Sequence, residues 1–253
     1  MKLGFIGIGK IASSVIKGLC TSALKDAVIY LSPRNSEKAA SLEKQFDNVT
    51  RMEDNQQVVD CADVVFIAVP PSQAEQILSE LNFRPNHIVV SFVSFLGNDK
   101  LMQLVSPASE ICRAVPLPAV ERHSCPILVF KPHPLVIGVL ENVGTTFEIK
   151  EESQLQVLWS LTGLIAPFYD LSKKLSNWAE SHGADPVTTG HYLMELFTSL
   201  TSVTHQNNAV DFAELIKDAS TAGGMNEQAL RMIGQEKAND VYVQAAEAIL
   251  KRF

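Results

Sequence analysis

The chain has 253 residues, of which 46% are hydrophobic, so it can bury a large core, and its length suits two modest domains better than one. Its 28 acidic and 21 basic residues give a net charge of −7 without a dense run of Lys and Arg, which argues against nucleic acid or an anionic membrane as a partner. The longest apolar run, Ala62 to Pro71, is too short to cross a bilayer. Because the chain does not open on a signal-peptide pattern either, we expect a soluble, cytoplasmic protein.

The first predicted element is an apolar, β-prone run from Leu3 to Ile6. The segment Gly7-Ile8-Gly9-Lys10-Ile11-Ala12 follows, and from Ser13 apolar residues recur at helical spacing. In such a strand, turn and helix the first glycine permits a tight turn, the second leaves room for a pyrophosphate, and the alanine lets the helix pack closely. The phosphates would lie against free N–H groups at the helix start. The predicted dinucleotide contacts are Gly7, Gly9, Lys10, Ile11 and Ala12, although glycines also mark ordinary turns.

The second predicted strand runs from Ala27 to Ser32, and a helix begins near Glu37. At this strand end an NAD-selective site usually carries an acid that binds the ribose 2′-hydroxyl. Here a hydroxyl, a guanidinium and helix amides would instead bind a 2′-phosphate. We therefore expect NADP(H) rather than NAD(H), with contacts from Ser32, Arg34 and Asn35. The alternative is that Arg34 is only a solvated turn residue.

The third predicted strand, Asp63 to Val69, is almost continuously apolar, which is typical of a parallel strand covered on both faces. Its carboxyl end should open into the cofactor crevice, so Ala68, Val69 and Pro70 are candidate contacts to the ribose on the nicotinamide side. A helix is predicted from Ser72 to Leu81, and further strands at His87 to Ser91, Ile111 to Val115, Cys125 to Lys131 and Thr145 to Lys150. This alternation predicts an α/β domain with a doubly wound, mostly parallel sheet over residues 1–150.

Residues 151–253 contain no convincing strand and are predicted to form an all-helical domain. The predicted helices are Glu151 to Ile165, Phe168 to Ser181, Pro186 to Thr204, Asp211 to Ala219, Gly224 to Gln235 and Asp240 to Lys251. On the third of these, Leu193, Met194, Phe197 and Leu200 make an apolar stripe that could face a core or another subunit. So few helices in so small a domain favour a homodimer or a larger homo-oligomer.

One loop of the helical half has a pattern of its own, Ser220-Thr-Ala-Gly-Gly-Met-Asn-Glu227. Hydroxyls followed by a glycine pair that opens a helix can form an anion-binding concavity for a carboxylate, with a hydroxyl nearby. The alternative is an ordinary turn between helices, with Ser220 or Thr221 as a cap and a flexible glycine pair.

Several segments together resemble the pyrroline-5-carboxylate reductase family, in order and over essentially the whole length. They are Gly4 to Ala12, Val65 to Pro71, Arg113 to Pro116, Leu161 to Gly163 and, most specifically, Ser220 to Gly224. The resemblance implies a Rossmann domain followed by a helical domain that dimerises by interleaving helices. It also implies NADPH-dependent reduction of a cyclic imine, 1-pyrroline-5-carboxylate, to L-proline.

The resemblance also places Ser220 at the hydroxyl that hydrogen-bonds the imine nitrogen. Met225 and Asn226 replace two threonines after the glycines, Leu117 lies where the family has an amide, and Pro70 where it has a lysine. We expect Ser220 and Thr221 to act on the imine nitrogen, and Gly223, Gly224, Met225 and Asn226 to bind the substrate, its carboxylate on the amides of the glycine pair.

Two other functions remain open. A β-hydroxyacid dehydrogenase also couples a Rossmann domain to a helical one, and Lys173-Lys174-Leu-Ser-Asn177 offers the lysine and asparagine spacing of that family. Such a group on a helix is most often a solvated face. A reductase scaffold with altered site residues could also bind NADP(H) as a sensor or interaction protein without turnover.

The sequence offers no candidate metal site. Cys20, Cys61, Cys112 and Cys125 are widely spaced without a Cys-x-x-Cys pair, and the histidines share no common spacing. We therefore expect reduced, mostly buried thiols and no bound metal.

Overall fold

A computed structural model describes residues 1–202 and 210–253. Its first half forms one eight-stranded sheet in the order β3-β2-β1-β4-β5-β6-β7-β8. The strands are β1 Lys2–Ile6, β2 Val28–Leu31, β3 Val49–Arg51, β4 Val64–Ile67, β5 Ile88–Ser91, β6 Glu110–Val115, β7 Pro126–Phe130 and β8 Thr145–Ile149. Neighbouring strands are parallel except for β6 and β7, which are antiparallel. The predicted doubly wound, mostly parallel sheet is confirmed.

Seven α-helices connect or follow these strands in the described part of the chain. They are α1 Lys10–Cys20, α2 Ser36–Gln45, α3 Asn55–Cys61, α4 Pro71–Ser79, α5 Asn98–Leu104, α6 Pro134–Leu140 and α7 Glu152–Ser160, and a 3-10 helix spans Pro118–Arg122. The sequence analysis does not place β3, α3, α5 or α6. The strand β3 has only three residues, two of them exposed, and so shows no alternation of apolar and polar positions. Each of the three helices has only seven residues, too few for a clear helical period.

The helical half follows from a 3-10 turn at Leu161–Leu164. Its helices are α8 Ile165–Ser181, α9 Pro186–Ser202, α10 Phe212–Ala219, α11 Met225–Gln235 and α12 Ala238–Leu250. The last two residues of the predicted helix Pro186 to Thr204, and His205, lie outside the described residues. Among the helices that are described, none is long and apolar enough to span a membrane.

The sheet has a hydrophobic core on each face. Successive residues of β4 alternate between them: Val64 and Phe66 belong to one core, Val65 and Ile67 to the other. Phe5 and Phe66, which are register partners on β1 and β4, stack with their ring centroids 4.6 Å apart. This burial on both faces explains why β4 reads as a continuous apolar run.

The chain forms two compact units. The sheet unit comprises Met1–Trp159 together with Arg252 and Phe253, and the helical unit comprises Ser160–Lys251. Whether residues 1–150 and 151–253 are domains that fold independently stays a prediction.

The two units differ in their burial. Hydrophobic side chains are buried throughout the sheet unit, as far as Leu155, but none is buried in the described residues of the helical unit. There, large apolar side chains remain open, including Trp178 at 63%, Tyr192 at 68% and Phe212 at 69% exposed. The helical unit of a single chain therefore lacks a closed core.

Candidate functional site

A glycine turn joins β1 to α1. Gly7 has φ +92°, and a Cβ at this position would lie 2.8 Å from the carbonyl oxygen of Ala68. Both the left-handed backbone and this close approach demand glycine. The fold itself therefore explains Gly7.

Gly9 is different, since nothing in the folded chain requires it to be glycine. Its φ of −84° and ψ of −169° are open to any residue, and the atom nearest to a Cβ at this position would be the Ala68 carbonyl oxygen, 4.0 Å away. Gly9 is also the N-cap of α1, whose first turn has no side-chain cap and no acidic residue. Helix N–H groups thus face open space at the positive end of the helix dipole, as an anion site needs.

This open space belongs to a cavity of about 420 Å³ in the sheet unit. It brings together every predicted cofactor contact except Ser32: Gly7, Gly9, Lys10, Ile11, Ala12, Arg34, Asn35, Ala68, Val69 and Pro70. The sequence analysis missed four further lining residues, Ile8, Gln73, Ile77 and Phe92. Phe92 could have been found, because it directly follows β5 and the carboxyl ends of parallel strands meet at this edge.

Ser32 does not line the cavity, contrary to expectation. It is 1% exposed, and its hydroxyl accepts a hydrogen bond of 2.9 Å from the Gly7 N–H. Because it is buried, Ser32 holds the glycine turn in place instead of facing a 2′-phosphate.

Arg34 and Asn35 stand at the opening of α2. Asn35 has φ +59°, and its Nδ2 donates to the Ile8 carbonyl oxygen at 2.9 Å, which ties this turn to the glycine turn. Arg34 Nη1 donates to Gln73 Oε1 at 3.4 Å. Among the described residues no carboxylate lies within 4 Å of this guanidinium, so its charge is not compensated by an ion pair.

A second cavity of about 270 Å³ adjoins Arg34 on its other side. Its lining includes the acidic side chains of Glu53, Asp54 and Glu80. Arg34 therefore lines both cavities. In the described chain the lining of the first contains no carboxylate, and that of the second contains three.

The late loop folds as a tight turn from α10 into α11. Gly223 has φ +73°, and its N–H donates to Glu227 Oε2 at 2.7 Å. The Gly224 N–H donates to the Thr221 carbonyl oxygen at 2.8 Å. The two amides expected to hold a substrate carboxylate thus already donate to groups of this chain, and one partner is itself a carboxylate. Binding of a substrate carboxylate by these amides stays a prediction, and it would require both hydrogen bonds to be exchanged.

The other predicted residues of the loop are accessible. Ser220 is half-buried at the end of α10, Thr221 is exposed, and Met225 is 87% exposed. Asn226 Nδ2 donates to the Ala219 carbonyl oxygen at 3.0 Å, so this amide closes the turn. The hydroxyls of Ser220 and Thr221 remain candidates for contact with a ligand.

Lys174, the candidate lysine of the alternative dehydrogenase, forms an ion pair with Asp170 one turn earlier on α8. The side chain is 71% exposed, and the hydrogen bond to Asp170 raises the pKa of Lys174. The ion pair one turn apart is typical of a solvated helix face, although both side chains also line a cavity of about 370 Å³ in the helical unit.

Comparison with known proteins gives consistent matches. The family described as NADP oxidoreductase, coenzyme F420-dependent, matches residues 2–94. Pyrroline-5-carboxylate reductase of Escherichia coli K12 is 30% identical over 118 residues, which cover 46% of this chain and 44% of that protein. The matched segment thus spans less than half the length of that relative.

Two further matches run the full length of the chain. Pyrroline-5-carboxylate reductase of Vibrio alginolyticus is 20% identical over 99% of this chain and 96% of its own. The structure of Plasmodium falciparum pyrroline carboxylate reductase with NADP bound is 17% identical, covers 100% of this chain and 96% of its own, and superposes with a TM-score of 0.83. The structural match shows that this chain has the fold of that reductase over its whole length.

Proposed function

We propose that this protein is an NADPH-dependent reductase of a small cyclic imine, with 1-pyrroline-5-carboxylate, giving L-proline, as the first candidate. The observation that carries the proposal is the cavity at the carboxyl end of β1, where open space over Gly9 meets the start of α1. The names of the full-length relatives supply the reaction class.

The cavity fits a dinucleotide phosphate. A Cβ at Gly9 would enter space that no other group of residues 1–202 and 210–253 fills, and the N–H groups of α1 would bind the pyrophosphate. Lys10 and Arg34 are cationic, and no carboxylate lines this cavity in the described chain. When bound, the cofactor supplies a hydride at its nicotinamide.

We propose NADPH over NADH because Arg34 carries an uncompensated charge beside the expected ribose position. Arg34→Ala should raise the Michaelis constant for NADPH about tenfold and leave that for NADH within about twofold, since only NADPH has the 2′-phosphate. An equal effect on both cofactors would contradict this role. It would instead favour ribose binding by the acidic cavity beside Arg34.

Hydride transfer requires an electron-poor imine carbon, so the nitrogen must be hydrogen-bonded or protonated as charge moves onto it. We assign this hydrogen bond to Ser220 or Thr221, which stand at an accessible turn. A hydroxyl is a weak acid, and protonation is left to water or to the substrate itself. Most of the rate would come from positioning and from exclusion of water.

We further propose that two chains associate through their helical units. No hydrophobic side chain in the described part of that unit is buried, although Trp178, Tyr192 and Phe212 are all large and apolar. Leaving such surface in water is costly, and a second copy of the same surface would bury it. Light scattering should give at least twice the mass of the chain, and a monomer at micromolar concentration would overturn this point.

The test of the reaction follows NADPH absorbance with three kinds of substrate. These are 1-pyrroline-5-carboxylate, the same ring without its carboxylate, and 2- and 3-hydroxyacids with NADP. Oxidation of NADPH by a cyclic imine, lost in the double variant Ser220→Ala, Thr221→Val, supports the proposal. NADPH binding without turnover of any imine would instead favour a nucleotide-binding protein, and hydroxyacid oxidation a dehydrogenase.

A further inference from the structure

Phe95 has a backbone conformation that an aromatic residue rarely adopts. Its φ is +61°, in the left-handed region that favours glycine. The residue lies in the connection between β5 and α5, residues 92–97, which we call the β5–α5 segment. A bulky side chain persists in such a conformation only where its surroundings hold it there.

The first residue of this segment is part of the cofactor cavity. Phe92 lines the cavity, its N–H donates to the Ile67 carbonyl oxygen at 2.8 Å, and its ring lies 5.5 Å from that of Phe66. Only two residues separate Phe92 from Phe95. A change of backbone conformation at Phe95 would therefore reach the cavity wall.

The segment is also fastened where it ends. The N–H of Asn98, the first residue of α5, donates to Glu152 Oε1 at 2.9 Å. Glu152 in turn forms an ion pair with Arg113, which is almost completely buried. Both ends are thus held by hydrogen bonds, whereas the strained middle depends on side-chain contacts.

Those contacts come from the two residues of the sheet unit that follow α12. The Phe253 ring lies 4.8 Å from the ring of Phe95 and 5.6 Å from that of Trp159. The Arg252 guanidinium stands over Phe95, 4.5 Å from its ring centroid. Aromatic pairs and cation–π contacts at these distances are attractive, and they cover a Phe95 side chain that is still 37% exposed.

We propose that Phe253 is a positioning residue for the cofactor cavity, because it holds Phe95 in its left-handed conformation and thereby keeps Phe92 in the cavity wall. The inference rests on the proposed cofactor site and assigns no contact between Phe253 and the cofactor. Without Phe253 the segment would spend part of its time in other conformations. The apparent dissociation constant for NADPH would rise by the inverse of the competent fraction.

The experiment is a fluorescence titration with NADPH, which needs no imine substrate. Phe253→Ala should raise the dissociation constant about fivefold, the scale of one lost aromatic contact, while Phe253→Tyr keeps the ring and should stay within about twofold of the wild type. The matched control is Phe147→Ala, an exposed phenylalanine on β8 of the same unit, which should bind NADPH as the wild type does. Phe253→Leu keeps apolar bulk without the ring, and it serves if the alanine variant does not fold.

A second substitution separates positioning from a general loss of structure. Glycine adopts φ +61° without strain, so in a Phe95→Gly background the change Phe253→Ala should alter the dissociation constant by less than about twofold. The inference would be overturned if the dissociation constant for NADPH were unchanged in Phe253→Ala and Phe253→Leu. It would also be overturned if Phe253→Ala raised that constant equally in the wild-type and Phe95→Gly backgrounds. Absence of NADPH binding by the wild type would instead overturn the proposed function, and the inference with it.

Discussion

Two glycine turns lead into helices in this chain, Gly7 to Gly9 before α1 and Gly223 to Gly224 before α11. In the first, the second glycine faces open space and the first turn of the helix contains no acid. In the second, a Cβ at Gly224 would lie 2.8 Å from the Thr221 carbonyl oxygen, and the Gly223 N–H donates to Glu227.

The two turns differ in their surroundings: the first lies at a cavity, whereas both glycine N–H groups of the second donate hydrogen bonds within the chain. A glycine turn at a helix start is a potential anion site in both places. In the first, Gly9 and the start of α1 line a cavity, and no acidic side chain lies in the first turn of the helix. In the second, Glu227 lies three residues after the N-cap and reaches back past it, as in a capping box. Glu227 thus occupies the Gly223 amide and puts a negative charge at the start of α11, which disfavours an anion there.

The largest expected effect comes from filling the open space at the first turn. Gly9→Val places a side chain where the nearest other atom is distant, so the fold should keep its thermal midpoint. NADPH affinity should fall about a hundredfold, about 2.7 kcal/mol, because the pyrophosphate loses its approach to the helix. Calorimetric titration measures the NADPH affinity, and a thermal scan measures the midpoint of unfolding.

The contrasting variant is Gly7→Ala. There the added Cβ would contact the Ala68 carbonyl, and the backbone has a positive φ. The substitution should therefore lower the stability of the fold rather than the affinity for NADPH. If Gly9→Val bound NADPH like the wild type, the first turn would not be the phosphate site.

A tenfold effect should follow from making the first turn resemble the second. Lys10→Glu puts a carboxylate at the first residue of α1, where it favours the helix dipole but repels a pyrophosphate, so NADPH affinity should drop about tenfold without loss of stability. Lys10→Gln removes the cation alone and should cost about threefold. Equal NADPH affinities of the Glu and Gln variants would mean that the introduced negative charge does not repel the pyrophosphate.

The smallest effect is the reverse change at the second turn. Glu227→Gln keeps an acceptor for the Gly223 N–H and removes the charge, so affinity for L-proline, which carries a carboxylate, should improve about threefold. Pyrrolidine lacks the carboxylate and is the matched ligand, for which no change is expected. If both ligands responded alike, or neither did, the loop would not sense a carboxylate.

Much of the architecture was readable from local pattern. Apolar runs such as Val64–Ile67 predict buried parallel strands, and Gly7, Gly9 and Ala12 predict the turn into α1, because these signals arise within a few neighbouring residues. The short strand Val49–Arg51 carries no such signal, and its pairing with β2 is what makes it a strand.

The chemistry of each turn was decided by contacts that pattern does not reveal. Ser32 looks like a phosphate contact from its place after β2, yet register brings its hydroxyl to the Gly7 N–H. Gly223 looks like a carboxylate site, yet the next helical turn returns Glu227 to its amide. In both cases the fold uses the group locally: Ser32 is buried and accepts from the Gly7 N–H, and the Gly223 N–H donates to Glu227.

The sequence by itself determined most strands of the sheet, the dinucleotide-site spacing of the first turn, and the helical character of the second half. Tertiary structure alone decided that Glu227 reaches the Gly223 amide, that Gln73 and Ile77 join the cavity, and that Phe253 contacts Phe95. The physical reason is range: propensity and periodicity act between neighbours in the chain, whereas the availability of a polar group depends on whichever distant residue reaches it first.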